Sequence, residues 1–140
     1  MNRFIFVLSL VAAQCNAQEW YLGDWKTVDI DYGSIYSMTE AQARNWMGKK
    51  ASYKPDLVSF DWANCASPHY VVEVLTDNDF GSNYRMDPAK LGITSERIEI
   101  LNVGCPRRWA APGSTLIKVS ENTAYTLWDG AYLKLEKSNP

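Results

Sequence analysis

Apolar and polar residues alternate along much of this chain in short runs, and a two-residue period predicts strands. Trp25 to Asp31 sends successive side chains to opposite faces. The stretch "KKASYKPDLVSFDW", residues 49 to 62, predicts two short strands with Lys54-Pro55-Asp56 as the turn between them. "HYVVEVLT", "RIEILNV" and "STLIKVS" predict one strand each. In "TAYTLWDGAYLKLEK" two alternating runs flank Asp129-Gly130. That pair predicts a hairpin, because a type I′ turn needs two residues at positive φ. Glu121-Asn122 supplies the turn before it, so the last third reads as an up-and-down meander.

Helical spacing is scarce. "SMTEAQARNWMG" carries Ser37, then Glu40 three positions on, then Gly48, which predicts a capped helix of two to three turns after the first strand. "DPAKLG" predicts a single turn, with Asp87 capping, Pro88 opening and Gly92 closing it. The acidic "TDNDFGSN", residues 76 to 83, reads as a solvated turn; it lacks the spaced oxygen ligands and distal glutamate of a calcium loop. The expected fold is therefore mainly β, with about eight antiparallel strands in a small up-and-down barrel and one short helix after the first strand. Closure of that kind removes edges that would otherwise pair with other chains. A two-sheet sandwich is the alternative.

The start of the chain has a different character. Residues 1 to 17, "MNRFIFVLSLVAAQCNA", hold a single charge, Arg3, before an apolar run from Phe4 to Ala13. This is the pattern of a secretory signal and is too short to span a bilayer. Gln14 is too bulky and polar for the residue before a lipid-anchored Cys15, so the expected product is a single exported domain, residues 18 to 140. That domain carries 13 basic and 16 acidic residues, a net charge of −3. Without basic runs it is not expected to track nucleic acid, and no second apolar stretch offers a membrane anchor. A periplasmic or secreted location follows from the signal.

Removal of the leader leaves two cysteines, Cys65 and Cys105, in an oxidising compartment where thiols pair. A bridge between them would close a loop of about 40 residues, worth ~4 kcal/mol on the chain-entropy account. A metal pair lacks ligands, since His69 is the only histidine and no CxxC is present. No metal and no cofactor are expected.

Gly23-Asp24-Trp25 stands at the start of the first strand. In this it resembles the lipocalins and related calycins, which open on Gly-x-Trp with the tryptophan plugging one end of a barrel. Thr76-Asp77 is similar to the family's second motif, though Asn78 follows it and it arrives early. Lys134 and Lys137 stand where the resemblance would place a late arginine over the tryptophan. The chain is also similar to small exported proteins of Gram-negative bacteria that are treated as lipocalin-like. The resemblance implies a barrel and a binding role rather than an activity.

Catalytic readings find little purchase. His69 lies near Cys65, but a Cys–His pair needs a free thiolate. Ser67, Ser114 and Ser120 lack elbow or triad context. Asp24, Asp29, Asp31, Asp61 and Glu73 could pair as glycosidase acids, yet alternating strands place such acids toward solvent. The expectation is a protein that is not an enzyme. Two binding sites are candidates. One is a barrel interior lined by Trp25, Tyr53, Phe60, Tyr70 and Tyr125, which is either filled by these side chains or open to a small apolar or amphipathic ligand. The other is the loop "GCPRRWAAPGS", residues 104 to 114, with Arg107, Arg108 and Trp109 at its tip, the alternative being that Trp109 folds back to cap the barrel while the arginines pair with surface acids. Arginine and tryptophan are enriched in protein–protein contacts. The loop would suit an inhibitor or immunity protein that blocks a cell-wall hydrolase or similar periplasmic enzyme.

Overall fold

The computed structural model describes residues 19–139. The proposed leader, residues 1 to 17 with Cys15, lies outside the described residues. Nine antiparallel strands form one sheet in the order β4-β3-β2-β1-β9-β8-β7-β6-β5, curled into a half-barrel. They are β1 (Gly23–Tyr32), β2 (Lys50–Tyr53), β3 (Leu57–Phe60), β4 (Ala63–Ala66), β5 (His69–Thr76), β6 (Arg97–Gly104), β7 (Thr115–Ser120), β8 (Thr123–Trp128) and β9 (Ala131–Lys137). Strands adjacent in sequence are neighbours in the sheet, and β1 pairs with β9, so the chain's ends lie side by side. β4 and β5 are the exception to this meander.

β4 pairs with β3 and β5 pairs with β6, yet only Ser67 and Pro68 separate them. Following the antiparallel pairs around the sheet shows that β4 and β5 run in the same direction. They are two halves of one bent strand. Ser67 sits at φ 53 in the left-handed region and Pro68 supplies no amide, so the ladder breaks there and the strand changes partners. The sequence reading missed β4 because Asp61-Trp62 looked like the end of a strand. Asp61 instead takes φ 52 and turns the chain into "ANCA".

From β6 to β9 both faces of the sheet are apolar. Leu101, Leu116, Ala124, Leu133 and Leu135 point to the concave side with Trp25, Tyr53 and Phe60. Ile98, Ile100, Ile117, Tyr125 and Tyr132 point the other way, onto Phe80, Leu91 and Ile93. The outer layer comes from the excursion between β5 and β6, which contains α2 (Asp77–Tyr84) and a 3-10 turn (Pro88–Leu91). The stretch expected to be a solvated turn is thus a helix. Thr76 caps it by accepting from the Asp79 amide, two aspartates favour its positive end, and its one buried side chain, Phe80, docks it. Local propensity in "DNDFGSNY" is poor; burial of Phe80 overrides it.

The helix after β1 is α1 (Glu40–Arg44), shorter than the spacing predicts. Its capping box is Thr39 with Gln42 rather than Ser37 with Glu40: Thr39 Oγ1 accepts from the Gln42 amide and Gln42 Oε1 accepts from the Thr39 amide. Ser37 instead binds back to the Asp129 carbonyl. Beyond α1, Trp46 packs edge-on against Phe60 and Trp128 at one end of the curl. The first strand does not alternate throughout, since the register with β9 shifts between Thr27 and Asp29. This bulge brings Ile30 back to the concave side with Trp25 and turns Asp31 outward. The Asp129-Gly130 turn is as expected, with both residues at positive φ.

Cys65 and Cys105 form a disulfide, with Cα atoms 5.7 Å apart. It ties β4, at one edge of the sheet, to the segment leaving β6 near the other. Replacing both by serine (Cys65→Ser/Cys105→Ser) is expected to cost about 3–4 kcal/mol, read as a lower urea midpoint against the oxidised protein. Phe80→Ala is expected to cost about 3–4 kcal/mol and to raise hydrogen exchange first in residues 77–96 and the outer face of β6.

Candidate functional site

The five residues proposed for a barrel interior divide between two places. Trp25, Tyr53 and Phe60 are on the concave side and are fully buried. Tyr70 is half-buried at the margin of that cluster, 5.0 Å ring to ring from Tyr21, and its hydroxyl donates to the Lys54 carbonyl at 2.6 Å. Tyr125 is on the opposite face, under the 77–96 excursion, where its hydroxyl donates to Asp31 at 2.9 Å. The alternation in β8 is real, but the sequence could not say that the outward face of this strand is buried too.

Trp25 closes one end of the curl. Its indole Nε1 donates to the Tyr21 carbonyl at 3.0 Å, and the Lys137 ammonium stands 5.2 Å over its ring. The other end is filled from the loop. Ala111, Pro112 and Gly113 are buried. The Gly113 carbonyl accepts from the Tyr53 hydroxyl at 2.7 Å, and its amide donates to Thr126 Oγ1 at 3.0 Å. Only glycine fits: its φ is +102, and a Cβ there would lie 2.8 Å from Tyr53 Oη and 2.9 Å from Phe60 Cδ2. Half of the expected interaction loop is therefore a plug.

The other half is exposed. Of the two placements open to Trp109, the structure has the one folded back: it is half-buried against the concave cluster, and its Nε1 donates to the Pro112 carbonyl at 3.1 Å. Arg107 and Arg108 remain at the surface, and neither forms an ion pair among the described residues. Arg107 lines an open hollow of about 420 Å³ with Asn64, Ala66, Ser67 and the disulfide. Trp62, in the turn just before β4, is 71% exposed. The sequence reading passed over it, although a tryptophan placed in a turn between two short apolar runs was a usable signal.

The remaining chemistry is sparse. Cys65 is oxidised, so His69, exposed at the start of β5, has no thiolate beside it. Among the described residues no three His, Cys, Asp or Glu side chains are grouped to hold a metal ion. None of the described helices is long and apolar enough to cross a membrane. Burial and the neighbouring Tyr21 and Asp56 push the Tyr70 hydroxyl up to about 12, and burial beside Tyr84 pushes Tyr132 up to about 12. Compared with protein families, with curated proteins and with solved structures, the chain matches none.

Gly113→Ala is expected to lower stability by about 2–3 kcal/mol, because the plug, Tyr53 and Phe60 must all shift; denaturant midpoints check it. The raised tyrosines favour the folded state only while they keep their protons. Their contribution is full below the ordinary value of 10 and is lost as pH rises from there toward 12. Urea midpoints taken through that range should fall, and tyrosinate absorbance should lag behind that of the denatured chain.

Proposed function

We propose that this chain is an exported, non-enzymatic binding domain of lipocalin-like type that acts on a protein partner through its outer surface. The observation that carries this reading is the filled interior: Trp25, Tyr53 and Phe60 are without accessible surface and Gly113 is bonded among them. An eight- or nine-stranded curl either fills with side chains or holds a small ligand, and here side chains and a loop occupy the space. The disulfide suits an oxidising compartment, and the periplasm is the one that the leader-like start favours. Lipocalin kinship is supported by Trp25 at one end of the curl under a late basic residue, Lys137 in place of arginine.

The contact region consists of Arg107 and Arg108, held on a short segment between the disulfide and the plug, with the adjoining hollow. Two unpaired guanidinium groups on an anchored backbone suit an acidic protein surface, because little loop entropy remains to be lost on binding. An inhibitor or immunity protein for a cell-wall hydrolase or similar periplasmic enzyme would use such a surface. The reading in which a small apolar or amphipathic molecule binds has one observation in its favour. Val72 and Val74, on the concave side of β5, are 38% and 45% exposed, which leaves an apolar strip at the margin of the curl.

The two readings separate in one experiment. A partner cross-linked in the export compartment and purified should bind the native protein and lose about 30-fold or more in affinity against Arg107→Glu/Arg108→Glu. An uncharged naphthylamine probe, titrated in parallel, should show no saturable fluorescence change. Saturable probe binding that the arginine variant leaves intact, with no partner recovered, would replace the protein reading with the small-ligand one.

A further inference from the structure

The two end strands of the sheet are protected very unequally. β4 has four residues, and its flank meets Cys105, Pro106 and Arg107 across the disulfide. β5 has eight residues and contains neither proline nor lysine, the usual devices that stop an edge from pairing. Its outward backbone groups can be identified. Val103 donates its amide to the Ser114 carbonyl, on the β7 side. Backbone groups alternate along a strand, so Ile98, Ile100 and Asn102 face β5, where their partners are Leu75, Glu73 and Val71. Tyr70, Val72 and Val74 therefore turn N–H and C=O away from the sheet. Among the described residues no backbone group meets them. The same stretch leaves Val71, Val72 and Val74 at 48%, 38% and 45% exposure.

Such a row of donors and acceptors recognises another extended strand. Antiparallel pairing is self-complementary about a two-fold axis, so β5 of a second copy fits it. Charge selects the register. His69 and Glu73 lie four residues apart on one face of β5. Pairing about Val71 sets His69 opposite Glu73 of the second copy, twice over, and sets outward-turned Tyr70 opposite outward-turned Val72. Glu73 already accepts from Asn102 Nδ2 at 3.1 Å and keeps further lone pairs for the imidazole. Pairing about Glu73 would bring two carboxylates face to face, and pairing about Val72 would leave both side chains unmatched. We propose that two copies of this protein associate through β5, antiparallel about Val71, extending the sheet across the dimer.

Sedimentation equilibrium on the purified protein, from about 1 μM to about 1 mM, spans the range expected of one small sheet interface. The native chain should form a dimer. His69→Glu should raise its dissociation constant about tenfold, and His69→Glu/Glu73→Lys should restore it, because a lysine donor then faces each carboxylate. Val72→Pro removes an outward amide that no bond within the sheet uses, so it should abolish the dimer while far-ultraviolet circular dichroism and the disulfide are retained. A monomer throughout that range, or a dimer indifferent to both sets of substitutions, would overturn the proposal. So would binding of a foreign extended peptide in place of the second copy.

Discussion

From Ile98 to Leu135 the strands carry apolar side chains on both faces, and a sheet of that kind cannot stand in water until both faces are covered. The two faces are covered by different means. The concave face is filled by curling the sheet and bringing in Trp20, Tyr21, Trp46 and the 111–113 segment. The convex face is covered by residues 77–96, with Phe80, Leu91 and Ile93 as anchors. The weak helix at Asp77–Tyr84 is therefore a consequence of the sheet, because the helix has only one buried side chain of its own.

The bend at Ser67-Pro68 is the second constraint. It lets one strand serve the two edges of the curl in turn, pairing with β3 before the bend and with β6 after it. The disulfide then holds the early half against the segment that leaves β6. Among the described residues the late half receives no such cover. One edge is short and cross-linked while the other is long, apolar and open, and the same two residues cause both conditions.

These features move the functional argument from the inside of the molecule to its surface. A barrel resemblance invites a search for a cavity, yet the aromatic side chains that would line one are packed against each other and against a glycine carbonyl. Among the described residues, the exposed groups without partners are two guanidinium groups on the cross-linked segment, a tryptophan in the turn before β4, and the outward backbone of β5. In the proposed protein-binding role, charge and main-chain pairing would supply the specificity that a cavity supplies through shape.

Much of this was legible in the chain because it depends on near neighbours. Strand alternation, the Asp129-Gly130 turn and the single-turn cap at Asp87 each follow from a few adjacent residues, and the cysteine pair follows from a count. Other features required the assembled sheet. A period of two says that Tyr125 faces away from Ala124, but not that its side of the sheet is buried as well. The sequence "DNDFGSNY" has the composition of a turn and becomes a helix because Phe80 finds an apolar face that distant strands create. Gly113 looks like a loop residue and becomes interior because Tyr53 and Thr126, on other strands, present polar groups that its backbone satisfies. Local geometry is written in adjacent residues, whereas burial depends on what the rest of the chain brings to a surface, and only the folded sheet decides that.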